Sequence, residues 1–180
     1  MVIQKLTLAH SPDPDDAFMW WPIFEGLVIE PGMVFEPVIA DIETLNRRAA
    51  GDSSQLLDVT AMSCANVPLV RERYLVTACG ASVGEGYGPK LVARSPITLD
   101  ALKSSRPRIA TPGARTTAAL TLALLIGRDS YEPVEVDFQE IEGRVASGEF
   151  DAGVVIHESQ LTYADRGLHL VEDLERWWMA

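Results

Sequence analysis

The residue best placed for chemistry is His157. It follows the apolar run Ala152-Gly153-Val154-Val155-Ile156 and precedes Glu158 and Ser159. Such a run predicts a strand buried on both faces. In open α/β sheets, ligands and reacting groups collect at the carboxyl ends of strands. Histidine's unperturbed pKa suits proton transfer near neutrality, so His157 is a candidate general base. The same position also suits a hydrogen-bonded structural histidine. Ser11, Ser63 and the pair Thr116-Thr117 fall at the ends of other predicted strands. For Ser11 and for Thr116-Thr117 the everyday use is helix capping. The functional use of Thr116 and Thr117 would be to hold a carboxylate or hydroxyl of a ligand beside free backbone N–H groups, and the helix start after Ser11 could likewise meet an anionic ligand. Asp13, Asp15 and Asp16 crowd the first of these ends, which argues against a bare phosphate there.

Strand–helix units must position these side chains. Residues 1–10 alternate like a strand, with 6–10 as its core; two prolines and several acids then turn the chain into an apolar helix over 17–24. A second strand is predicted at 32–40 and a helix at 41–49, with Asp41 as its cap. A third strand spans 56–62, a helix 64–71 and a fourth strand 74–78. The segment 80–89 is glycine-rich but lacks the GK[ST] of a phosphate loop, and reads as a connection or strand bend. Residues 90–94 are a strand crossing into a second lobe. That lobe continues with a short helix at 100–103, strands at 108–110 and 134–138, and helices at 118–126 and 140–147. The strand carrying His157, a last short strand at 168–171 and a helical tail at 173–180 complete it. The expected lobes are 1–92, with 174–180 returning to it, and 93–173. A cleft between two such lobes is the default ligand site.

Composition narrows the function classes. The chain has 180 residues, 47% hydrophobic and 23% charged, as expected of a globular protein. Its formal net charge of -11 disfavours nucleic acid and anionic membrane surfaces as partners. No run reaches the length of a membrane span, and residues 1–10 lack the apolar core of a secretory signal. A cytoplasmic protein is expected. Cys64 and Cys79 form no CxxC pair or Cys/His cluster, so neither a disulfide framework nor a metal site is expected. They read as small buried thiols.

Five blocks carry a family resemblance. They are Ser11-Pro12-x-Pro-x-Asp16-x-Phe18, Asp41-x-Glu43-Thr44-Leu45-Asn46-Arg47, Gly84-x-Gly86-x-Gly88-Pro89, Pro112-Gly113-x-x-Thr116-Thr117-Ala118 and Ile156-His157-Glu158-Ser159. In order and spacing the set resembles the 1,4-dihydroxy-6-naphthoate synthases of the futalosine route to menaquinone, across essentially the whole chain. The resemblance implies an α/β, two-lobed fold of the periplasmic-binding-protein type (type II), adapted to catalysis without a cofactor. It implies a small-molecule substrate, cyclic dehypoxanthine futalosine, cleaved to 1,4-dihydroxy-6-naphthoate and a three-carbon fragment. By position His157 matches the family's base. Ser11, Asp41, Ala61, Met62, Ser63, Thr116 and Thr117 match positions at the substrate.

Two departures stand out. Asp13 and Asp15 occupy positions where the family usually has Cys and Asn, and extra negative charge opposes a carboxylate bound nearby. The family pattern also continues beyond the pair Trp177-Trp178. An incomplete first lobe is therefore expected, with self-association through its uncovered apolar surface. The alternative function is a non-catalytic small-molecule binding protein of the same fold.

Overall fold

The computed structural model describes residues 3–180. Met1 and Val2, the start of the alternating run, lie outside the described residues. The chain divides into two compact units, Met1–Val83 and Gly84–Ala180. Among the described residues the strands form two sheets, one in each unit.

The first unit contains β1 (Gln4–His10), α1 (Pro14–Phe24), β2 (Met33–Ile39), α2 (Ile42–Ala50), β3 (Val59–Thr60) and, after a 3-10 turn at Cys64–Asn66, α3 (Val67–Val70). Its sheet order is β2-β1-β3, all parallel. β1 pairs with β2 along its whole length but with β3 only at Leu8↔Val59 and Ala9↔Thr60. A reciprocal clamp secures the short pairing. The Thr7 N–H and hydroxyl both donate to Asp58 Oδ2 at 2.8 Å, and Asp58 N–H donates to Thr7 Oγ1 at 2.8 Å. The core is small, built on Ala9, Leu45 and Leu57 with Val38, Ala40, Ile42 and Ala61 against them. The strand expected at 74–78 does not form. Leu75 and Val76 are 93% and 77% exposed, and no sheet edge pairs with them among the described residues. β-branched propensity without a partner strand does not make a strand.

The second unit contains β4 (Lys90–Ala93), α4 (Leu99–Ser104), β5 (Arg108–Thr111), α5 (Thr117–Ile126), β6 (Glu132–Glu135), α6 (Phe138–Ala146), β7 (Ala152–Val155), α7 (Ser159–Thr162), β8 (His169–Asp173) and α8 (Leu174–Met179). The sheet order is β6-β5-β7-β4-β8. β5, β6 and β7 run parallel, while β4 is antiparallel to β7 on one side and β8 on the other. So β4, read from sequence as the crossing strand, is hydrogen-bonded on both edges inside this unit. Leu174, which opens the tail helix, is fully buried in the same unit's core.

The pleat explains why this sheet carries two cores. Successive side chains point to opposite faces. Leu91, Ala93, Ile109, Ala152 and Val154 enter one cluster with Leu122 and Leu174. Val92, Ala110 and Val155 enter the other with Ile141, Val145 and Phe150. Gly153 takes its place on the second face because α6 lies too close for a side chain. A Cβ there would stand 2.7 Å from both Ile141 Cγ2 and Val145 Cγ2.

Asp173 joins β8 to α8. Its carboxylate accepts from Lys90 Nζ at 2.6 Å and from the Arg176 N–H at 3.2 Å. Burial alone would push this carboxyl up. The hydrogen bonds from Lys90 and Arg176 and the two positive charges outweigh that and hold it below the usual range. Cys64 and Cys79 are both exposed, against the expectation of buried thiols. Cys64 opens a surface 3-10 turn, and Cys79 lies in a segment without regular structure. Trp177 packs on the first cluster, whereas Trp178 is exposed. No helix among the described residues is long and apolar enough to cross a membrane.

Candidate functional site

His157 stands just beyond β7, whose four residues are all buried. Its backbone is left-handed, with φ 53. A non-glycine residue in that region is uncommon and is held there only by its surroundings. Two of its contacts contribute to the hold. The His157 carbonyl accepts from Gln160 N–H at 3.1 Å, closing the turn into α7. The imidazole lies against the Phe138 ring, with centroids 5.1 Å apart and planes tilted by 56°. Such tilted aromatic pairs orient as well as pack. Glu158 is exposed and Ser159 half-buried. Gln160 is buried, and its Oε1 has no hydrogen-bond partner among the described residues.

Phe138 is a site neighbour that the sequence does not single out, since its apolar pattern predicts the end of a strand there. The structure instead starts α6 at Phe138, because Asp137 caps it by accepting from Gln139 N–H at 3.0 Å. The spacing Asp137-x-x-Glu140 is the signal that could have found this start.

Thr116 and Thr117 open α5. Thr116 is the cap: its Oγ1 accepts from Ala119 N–H at 3.2 Å and donates to the Gly113 carbonyl at 2.8 Å. Its hydroxyl proton is thereby committed to the turn. Thr117 is the exposed first residue of the helix.

In the first unit, Ser11 follows the buried end of β1 and is itself buried. Its N–H donates to Asp16 Oδ2 at 2.9 Å, and its hydroxyl donates to Asp13 Oδ2 at 2.6 Å. Asp13 occupies the N-cap position of α1, yet its carboxylate serves Ser11 and makes no cap hydrogen bond. Asp15 accepts from Ser82 Oγ at 2.5 Å. The neighbouring His10 ring stacks on Phe24, and its Nδ1 contacts the Ser11 carbonyl at 2.6 Å. A carbonyl only accepts, so Nδ1 carries the proton.

Asp41 caps α2 as its spacing suggests. Oδ1 accepts from Thr44 N–H at 2.9 Å and Oδ2 from the Thr44 hydroxyl at 2.6 Å. Ala61, Met62 and Ser63 follow β3, with Ala61 N–H donating to the Ala9 carbonyl at 2.7 Å. Ser63 is held by the side chain of buried Asn46. In the sequence Asn46 stands out only as part of the second block; a polar residue on the buried face of an amphipathic helix was the available signal.

The chain resembles known proteins over nearly its whole length. The family model described as menaquinone biosynthesis matches residues 6–180. A 1,4-dihydroxy-6-naphtoate synthase of Thermus thermophilus is 42% identical over 176 residues, covering 98% of this chain and 61% of the relative. The chain thus spans less than two thirds of that relative's length. A crystal structure of an Archaeoglobus fulgidus protein is 47% identical, with a TM-score of 0.85, covering 97% of this chain and 62% of that one. The alkanesulfonate-binding protein SsuA of Xanthomonas axonopodis, bound to MOPS, is only 16% identical but has a TM-score of 0.67, again over 97% of this chain and 62% of its own. That likeness establishes the fold as periplasmic-binding-protein-like. With the family pattern matched from residue 6 to residue 180, this chain belongs to the menaquinone biosynthesis family.

Proposed function

We propose that this chain acts on cyclic dehypoxanthine futalosine as a carbon–carbon lyase, forming 1,4-dihydroxy-6-naphthoate. One observation carries the reading beyond family membership. The only histidine in the Ile156-His157-Glu158-Ser159 block sits at the carboxyl end of a fully buried strand, in a left-handed backbone, with its ring steadied by Phe138. Neutral His157 takes a carbon-bound proton from the substrate. The electron pair left behind drives cleavage of the carbon–carbon bond, releasing the three-carbon fragment and leaving an aromatic ring. Ser11, Asp41, Ala61, Met62, Ser63, Thr116 and Thr117 are assigned to the substrate by their match to the family pattern. For Ser11, Asp41 and Thr116 the observed hydrogen bonds favour shaping the loops that meet the substrate over direct donation to it.

The test is turnover of the futalosine intermediate read by mass spectrometry. A general base contributes about 10²–10⁴-fold, so His157→Ala should lose that much turnover while retaining binding. His157→Asn should be equally poor, because an amide cannot accept a proton at neutral pH. Full activity in His157→Ala would overturn the base assignment. Binding without turnover by the wild type would favour a non-catalytic binding protein.

A further inference from the structure

The geometry around Ser63 sharpens its assignment to the substrate, and the inference drawn from it rests on that reading. The Ser63 N–H, which can only donate, meets Asn46 Oδ1 at 2.9 Å. This fixes which way the side-chain amide faces. The other end must be Nδ2, and it donates to Ser63 Oγ at 3.0 Å. Asn46 is fully buried on α2, and its backbone carbonyl accepts from Asn66 Nδ2 at 3.0 Å. The segment after β3 is therefore fastened to α2 at both Ser63 and Asn66. The hydroxyl of Ser63 already accepts from Asn46. Its own proton goes to no acceptor among the described residues, where the other bond of Ser63 is its carbonyl accepting from Asn66 N–H at 2.9 Å.

We infer that Asn46 is a positioning residue that sets the polarity of Ser63, reserving its O–H as a donor to an acceptor oxygen of the ligand. A carboxylate or carbonyl oxygen fits that donor. A ligand N–H at the same place would have to compete with Asn46 for the hydroxyl's lone pairs.

Asn46→Asp tests this with little change of shape. The new carboxylate still accepts from the Ser63 N–H, but it can no longer donate. The Ser63 hydroxyl then turns its proton to that carboxylate and is lost to the ligand. Calorimetry with cyclic dehypoxanthine futalosine and with 1,4-dihydroxy-6-naphthoate should show N46D and S63A each binding about 10- to 100-fold more weakly, as expected for one hydrogen bond to a charged or strongly polar oxygen. In turnover, KM should rise with kcat nearly unchanged. The double variant should be no worse than either single one, because both remove the same donor. Simple repulsion by a new carboxylate would instead add to the loss in S63A, and additive losses would overturn the inference, as would undiminished binding by N46D. A ligand-free readout guards against misfolding. Amide exchange at Ser63 should be slow in the wild type and N46D and fast in Asn46→Ala. Equal exchange in the wild type and Asn46→Ala would refute the clamp. A protected amide in a wild type that binds neither probe would leave the clamp standing and sink the substrate assignment.

Discussion

The two units hold their candidate residues by different means. In the second unit His157 ends a strand with apolar clusters on both faces, and its ring rests on an aromatic neighbour. In the first unit the core is a few side chains. There Ser11 and Ser63 are fixed by carboxylates and an amide instead. Packing is non-directional and tolerates modest changes of side-chain chemistry, whereas a polar clamp specifies donor and acceptor at each atom. The first arrangement suits a residue that must be placed. The second suits residues whose hydrogen-bonding sense matters.

Four experiments would break or sharpen that contrast. The largest effect is expected at the ion pair between half-buried Lys90 and buried Asp173. Asp173→Ala strands Lys90 and removes a helix cap, and should cost about 3 kcal/mol in a urea titration. A loss below about 1 kcal/mol would show that packing alone carries this unit. Next comes Gly153→Ala, which forces a methyl into the α6 contact and should cost about 2 kcal/mol. Near-neutral stability would mean that α6 can retreat and the packing is looser than the geometry says. Thr116→Ala should cost about 1 kcal/mol as a lost cap, visible as a lower melting temperature, while Thr116→Ser should restore it. If Thr116→Ala melted normally yet bound ligand poorly, Thr116 would join the polar contacts and not the scaffold.

The smallest effect is acid sensitivity, present in both units. Asp58 is held below the usual carboxylate range by the Thr7 N–H and hydroxyl, and Asp173 by the balance of burial against its Lys90 and Arg176 partners. A lowered folded-state pKa gives stability that is present above the unfolded value, near 4, and is lost as pH falls through the folded value. Stability should therefore be flat above about pH 5 and fall below about pH 4. The exposed Asp58 should contribute less than Asp173, so Asp58→Asn should flatten the acid limb less than Asp173→Asn.

The sequence is most legible where burial is two-sided. The run at β7 and the helices α2 and α5 announce themselves by apolar pattern and by Asp41 and Thr116 at their starts. It is least legible where the outcome depends on a distant partner. The expected third strand shrinks to Val59–Thr60, because only that stretch opposes β1. The apolar run at 74–78 has the composition of a strand but no pairing edge. The aromatic support of His157 and the amide clamp on Ser63 are hidden for the same reason. Each joins residues about twenty apart whose meeting depends on helix phase, which periodicity constrains only loosely.

The placement of β4 bears on the order of events during synthesis. β4 is flanked by β7 and β8, and its Lys90 pairs with Asp173 across 83 residues of sequence. In the first unit the clamp across the sheet spans 51 residues. A ribosome delivering the chain from its amino end would release β1, β2 and β3 before β4 exists. The second sheet would stay incomplete, with β4 lacking its second neighbour, until residue 173 emerged. Nascent chains halted between β7 and β8 should thus carry β1, β2 and β3 already paired while β4 still shows an unpaired edge. Such an edge invites chaperones and, in their absence, aggregation.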